Sequence, residues 1–204
     1  MKLYHSPNSP FVRKIVIAAE LLGLSDRIEL IPARGNLMAR DPVFRKLNPS
    51  GQIPVLLTQQ DGAIFDSPVI CEYLNQLGGG GLLSNGTARW RDLRDQAMAD
   101  AMLDAALQCR YEYALRPEPL RWPEWLAAWR NKIEDTAAVF DERAAELAGR
   151  HDVGAISLFC ALAYINDRLS EIIDLRAAYP GLMDWYDSMA ALPQVASSDP
   201  ALVS

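Results

Sequence analysis

Two serines precede prolines at points where helices should begin. Ser9-Pro10 follows a short apolar start, and Asp66-Ser67-Pro68 precedes an apolar helical run. Each pair reads as a serine N-cap with proline at the first helical position. A helix start leaves backbone N–H groups unpaired and carries the positive end of the helix dipole, so it attracts anions. Brought together by the fold, the two starts would make a site for a small ligand bearing carboxylates and a thiolate. Between them lies Asn48-Pro49-Ser50-Gly51-Gln52-Ile53-Pro54-Val55-Leu56. Its Gly-x-Ile-Pro-Val turn suggests a proline-fixed backbone edge on which a peptide could lie.

Other chemistries find less support. Arg13, Lys14, Arg34 and Arg40 are candidates for a basic pocket taking an acidic small molecule, against the plainer reading of solvated surface charge. Cys71, Cys109 and Cys160 form no Cys-x-x-Cys pair and sit in apolar helical contexts, as buried thiols do. His5 and His151 have no ligand cluster around them, so no zinc or iron site is expected. A net charge of −6 argues against a nucleic-acid binder that works by phosphate neutralisation. With 50% hydrophobic and 23% charged residues, the 204-residue chain has the composition of a soluble globular protein. No signal peptide and no apolar run of transmembrane length is present, which makes the cytoplasm the default compartment.

The elements that must position these residues alternate at first. Lys2–His5 reads as a strand, and Phe11–Leu22 as a helix stopped by Gly23. Arg27–Pro32 is a strand, Asp41–Leu47 a short helix and Pro54–Thr58 a buried strand. Gln60-Asp61-Gly62 is a turn and Ala63–Phe65 the returning strand. Ser67–Leu77 is a helix ended by Gly78-Gly79-Gly80-Gly81. The order is βαβαββα, with the first strands parallel and the last antiparallel, in a domain spanning residues 1–78. Residues 79–87 read as a linker. Residues 88–204 read as all-helical, with helices at Ala88–Tyr113, Pro123–Leu147, Asp152–Leu169 and Pro180–Leu192. The very apolar Asp152–Leu169 is the expected centre, and only Ser197–Ser204 reads as a disordered tail.

These motifs, in this order, resemble the soluble glutathione transferase superfamily, as a bacterial serine-type member. The carriers are the Asn48–Leu56 segment, Phe65-Asp66-Ser67, Ile70-Cys71-Glu72-Tyr73-Leu74, and Tyr179-Pro180-Gly181-Leu182 followed by Trp185-Tyr186. The resemblance covers nearly the whole chain. It implies a thioredoxin-like N-terminal domain followed by a C-terminal helical bundle. The implied protein is a cytoplasmic homodimer that conjugates glutathione to small apolar electrophiles in detoxification, with glutathione as co-substrate and no metal.

The resemblance also implies roles. A cis proline after Ile53 would expose the Ile53 N–H and C=O to the cysteinyl part of glutathione. Asp66 would take the γ-glutamyl ammonium, and the Ser67 hydroxyl and N–H its carboxylate. Ser9 falls at the thiol-activating position, where a hydroxyl hydrogen bond and a helix N-terminus favour the thiolate. Tyr4 and Ser6 are the alternatives. Phe11, Gln52 and Pro54 complete the expected binding set. The electrophile pocket would draw on Phe11 and on Met98, Met102, Leu103, Leu107, Tyr111 and Tyr113, against helical core packing for most of them.

Relatives that exchange disulfides carry cysteine at the Ser9 position, and serine forms no mixed disulfide, so thiolate activation is expected here. The family's Ser/Thr-x-x-Asp capping box is represented by Asp152-Val153-Gly154-Ala155, without its reciprocal acid. Restoring it with Ala155→Asp would then stabilise the helix. A glutathione-dependent isomerase, dehalogenase or peroxidase, and a non-catalytic glutathione-binding scaffold, are the alternative functions on the same fold.

Overall fold

The computed structural model describes residues 1–33, 38, 42 and 44–201. The chain divides into two compact units: Met1–Arg89 together with the stretch from Pro193, and Trp90–Leu192.

The first unit runs β1 (Lys2–His5), α1 (Pro10–Leu21), β2 (Glu29–Pro32), α2 (Phe44–Leu47), β3 (Val55–Leu57), β4 (Ala63–Ile64) and α3 (Ser67–Leu77). This is the expected βαβαββα order and a thioredoxin-like arrangement. The sheet order is β2-β1-β3-β4. β1 lies parallel to β2, with Lys2 opposite Glu29, and β3 is antiparallel to both β1 and β4. Leu3 and His5 alternate into the core with the two-residue period of a strand. On α1, Val12, Ile15, Ala18 and Ala19 are buried at helical spacing, and α3 answers with Ile70, Cys71 and Leu74. These two helices pack against each other. Each fully buried Leu or Ile contributes about 1.5–3 kcal/mol relative to exposure.

Helix α1 starts one residue earlier than its apolar spacing suggests, at the proline. Gly23, at φ +65°, follows its C-cap. The Leu24 N–H returns to the Ala19 carbonyl at 2.8 Å, a closure that needs the left-handed residue between them.

The second unit is helical: α4 (Ala88–Leu115, entered from the first unit), α5 (Pro123–Glu142), α6 (Ala144–Leu147), α7 (Val153–Arg168), α8 (Leu175–Ala178) and α9 (Pro180–Ala190). The expected single helix over Pro123–Leu147 is broken at Arg143, whose φ −110° and ψ 17° leave the helical basin. Every residue from Asp152 to Ala163 is buried, as the apolar run of α7 requires.

The stretch from Pro193 departs from the expectation for residues 88–204. Its helix α10 (Pro193–Ala196) packs on α1 and belongs to the first unit. Val195 is fully buried, and the buried Ser198 hydroxyl accepts from Arg13 Nε at 3.0 Å. These contacts order part of the segment that composition alone marks as a tail.

A charged cluster anchors the start of α7. Asp92 and Asp95 on α4 are fully buried. Arg150 donates to Asp95 Oδ2 at 2.9 Å and to both Asp152 oxygens at 2.8 and 3.0 Å, while Arg143 donates to Asp95 Oδ1 at 3.1 Å. Asp152 caps α7, accepting from the Gly154 and Ala155 N–H groups at 3.0 and 3.2 Å. Burial opposes the charge on Asp95, but the hydrogen bonds from Arg150, Arg143 and Arg94 outweigh it and hold its carboxyl below the ordinary range.

Candidate active site

The chain leaves β1 at His5 and turns through Ser6 to Ser9, where the Ser9 N–H donates to the Ser6 carbonyl at 3.0 Å. Ser9 is the N-cap of α1, with extended backbone (φ −85°, ψ 117°) and Pro10 in the first turn. Its hydroxyl oxygen accepts from the Val12 N–H at a long 3.4 Å. Among the described residues no acceptor takes its proton, and the side chain is half-buried. The Ser9 hydroxyl is therefore able to donate to an incoming anion at the positive end of α1.

The alternatives are placed differently. Tyr4 lies mid-strand, in register between Ile31 and Val55, its ring 5.8 Å from that of Phe44. Ser6 supplies the carbonyl that closes the turn. Neither stands at a helix start. The adjacent His5 is buried, and burial alone pushes its pKa below 6.5, so it is neutral at pH 7.

The approach to β3 is held by side chains. The buried Asn48 donates from Nδ2 to the Gln52 carbonyl at 2.8 Å, while its Oδ1 accepts from the Ser50 N–H at 3.0 Å and the Ser50 hydroxyl at 2.8 Å. Gly51, at φ +72°, donates to the Asn48 carbonyl at 2.9 Å, a turn that favours glycine. The Ile53–Pro54 peptide is cis. Pro54 is buried, Ile53 half-buried and Gln52 exposed. No hydrogen bond engages the Ile53 N–H or C=O among the described residues.

At α3 the cap shifts by one residue from the sequence expectation. Asp66, not Ser67, is the N-cap, Ser67 is the first helical residue and Pro68 the second. Both Asp and Ser cap well, so Asp-Ser-Pro allows either assignment. The exposed Asp66 carboxylate makes no capping bond. Ser67 is buried, and its hydroxyl oxygen accepts from Lys14 Nζ at 3.2 Å. One lysine side chain thus spans from the second turn of α1 to the first residue of α3.

Of the basic candidates, Lys14 is fully buried, and its Nζ lies 5.8 Å from the ring centroid of the half-buried Phe11. That overturns a solvated reading for it. Arg13 is tied to Ser198, and Arg34 and Arg40 lie outside the described residues. On α4, Met102 and Leu103 are fully buried core; Met98, Leu107 and Tyr111 are half-buried, and Tyr113 is exposed. All three cysteines are buried. Among the described residues no group of His, Cys, Asp and Glu could hold a metal ion, and no helix is long and apolar enough to cross a membrane.

Residues 8–77 match the family model for the glutathione S-transferase N-terminal domain, and residues 123–188 that for the C-terminal domain. A relative in Escherichia coli, the uncharacterised GST-like protein YibF, is 30% identical over 82% of this chain and 83% of its own. The chain belongs to the glutathione S-transferase family. A solved family member from Pseudomonas fluorescens, with bound glutathione, is 37% identical, covers 98% of both chains and superposes with a TM-score of 0.93. A structure of a Pseudomonas fluorescens family member with bound S-(propanoic acid)-glutathione is 36% identical, covering 98% of this chain and 99% of the other, with a TM-score of 0.87. In this glutathione S-transferase family member the N-terminal match spans every residue from Ser9 to Ser67 discussed above. The C-terminal match runs from the start of α5 into α9.

Proposed function

We propose that this protein is a glutathione transferase of the serine type, which binds glutathione in its first unit and uses the thiolate against small apolar electrophiles. The observation that carries the reading is Ser9: a half-buried hydroxyl at the N-cap of α1, with no acceptor for its proton among the described residues. A thiolate there would accept the Ser9 proton as a hydrogen bond and face the positive end of the helix, both of which favour the charged sulfur.

The other roles follow the chemistry of the peptide. The Ile53 N–H and C=O pair with the cysteinyl backbone as an added strand would. Asp66 takes the γ-glutamyl ammonium, and Ser67, at the start of α3, takes its carboxylate. Gln52, Pro54 and Phe11 border the ligand. In the reaction the thiolate lone pair forms the sulfur–carbon bond. In a substitution the leaving group departs with its bonding pair; in an addition the acceptor takes up a proton from water. The relatives with bound glutathione and bound S-(propanoic acid)-glutathione support the reading, the latter ligand being an S-alkylated glutathione. The exposed Phe65 and Val69 on and before α3 support assembly as a homodimer through that helix.

The test is a glutathione titration followed by thiolate absorbance, comparing wild type with Ser9→Ala. Saturable binding, with a thiolate signal that the variant loses, is the expected result. Binding without thiolate in either protein would move Ser9 to a structural role and favour a non-catalytic carrier. Absence of binding would remove the glutathione reading altogether.

A further inference from the structure

We propose that Lys14 is a positioning residue of the γ-glutamyl subsite, which aims the Ser67 hydroxyl and holds a buried positive charge beneath the ligand's carboxylate. The inference rests on the glutathione reading above and adds to it a residue outside the expected binding set.

Lys14 Nζ lies 3.2 Å from Ser67 Oγ, and neither side chain meets solvent to a significant extent. An ammonium only donates, whereas a serine hydroxyl has a single proton and two lone pairs. With Lys14 donating to it, Oγ must direct its own proton elsewhere. Ser67 is the first residue of α3, so the backbone N–H groups of that turn are unpaired in the helix. A hydroxyl fixed as donor beside such N–H groups is suited to a carboxylate and ill suited to an ammonium.

Charge placement points the same way. Lysine is almost never fully buried unless partnered, because its ammonium loses hydration. Here the ammonium reaches from the second turn of α1 to the first residue of α3, at the positive pole of that helix, where an anion is favoured. The Phe11 ring, 5.8 Å away, is among the groups that face it. A carboxylate arriving at Ser67 would meet the positive pole of α3 with the ammonium behind it. The neighbouring Asp66 carboxylate is exposed and makes no capping bond, so it suits an ammonium. Residues 66 and 67 therefore present opposite polarity to the two charges of an α-amino acid head. Lys14 makes the Ser67 side the anionic one and so fixes which way round the head binds.

The experiment measures glutathione affinity calorimetrically for wild type, Lys14→Met, Lys14→Arg, Ser67→Ala and the double variant Lys14→Met/Ser67→Ala. Melting curves verify folding, and the pKa of the bound thiol is read by absorbance at saturating glutathione. Loss of a hydrogen bond to a charged group should weaken glutathione binding by roughly tenfold or more in Lys14→Met. The bound thiol pKa should stay at the wild-type value, because Lys14 acts on the opposite end of the peptide from Ser9. Lys14→Arg should recover most of the affinity. In the Ser67→Ala background the further loss from Lys14→Met should shrink to a few-fold. A folded Lys14→Met protein that binds within twofold of wild type overturns the proposal, as does an equal loss with and without Ser67. Should Lys14→Met fail to fold, Lys14→Leu, which likewise removes both the donor and the charge, takes its place with the same criteria. A wild-type protein that binds no glutathione overturns the functional reading itself, and that result precedes any variant.

Discussion

Gly154 and Asp95 leave no room for a methyl group between them. A Cβ built on Gly154 would stand 2.8 Å from Cβ of Asp95, 2.9 Å from the Asp92 carbonyl oxygen and 3.1 Å from Asp152 Oδ1. Two of those atoms belong to the α4 backbone or its first side-chain carbon and cannot swing aside. Gly154→Ala must therefore push α7 off α4 and disturb the Arg150–Asp95–Asp152 bonds. Overpacking of this kind costs roughly 1–3 kcal/mol, and each kcal/mol lowers the melting temperature by about 2–4 °C at this chain length. A thermal melt unchanged by the substitution would reject the account. The structure also reverses the sequence expectation for Ala155→Asp. Ala155 is fully buried, with its N–H already bonded to the Asp152 carboxylate. A further carboxylate there should lower the melting temperature, and a rise would restore the capping-box argument.

Acid should destabilise the protein in two stages. The His5 ring is held by burial below its ordinary pKa of 6.5, so the unfolded chain takes up that proton first. The stability from keeping it neutral is complete above pH 6.5 and declines below it. The Asp95 carboxyl is held below its ordinary 3.8 by its arginine partners against the effect of burial. Its contribution is complete above that value and is lost as pH falls through it and lower. Melting temperatures across a pH series should be level near neutrality, decline gently below about 6.5 and fall steeply below about 4. His5→Gln should remove the first stage alone. A wild-type curve level down to pH 5 would contradict the assignment to His5.

The thiols should be silent in the folded protein. Cys71, Cys109 and Cys160 are all buried, and burial pushes the Cys109 thiol up to about 11. Because the thiolate is the reactive form, an aromatic disulfide reagent at mildly alkaline pH should release no colour from the native protein and three equivalents after denaturation. Rapid native labelling of any one of them would show an opening of its helix that the packing does not allow for.

Cysteine in place of Ser9 should convert the chemistry. At the N-cap of α1 a thiol gains from the helix dipole and is poised to form a mixed disulfide with glutathione. Ser9→Cys should add the mass of one glutathione on incubation with its disulfide and acquire deglutathionylating activity. A folded variant that does neither would detach position 9 from the thiol site.

Much of the first unit was readable because independent signals agreed. For α1, helical spacing, the Ser-Pro start and the glycine stop all mark one segment, and the alternation in Lys2–His5 marks a strand. The features that escaped depend on partners distant in the chain. Nothing local reveals that Lys14 turns inward to Ser67, since its charge alone argues for solvent. Gly154 looks like a weak helix former until α4 is seen against it. At Asp66-Ser67-Pro68 two good caps stand side by side, and only the backbone decides between them. In the stretch after Pro193 no periodic pattern marks Val195 as core, and its helix packs on α1 at the other end of the sequence.

That last contact gives the chain an order of assembly. Helix α10 rests on α1 and Arg13 reaches Ser198, although the whole helical unit is synthesised between them. The first unit can form its sheet as it emerges from the ribosome, but its outer surface over α1 stays uncovered until the helical unit has been made. The helical unit is, in effect, an insertion held at both ends by the first. A cut placed at the glycine run would release an N-terminal fragment still missing the piece that covers its first helix.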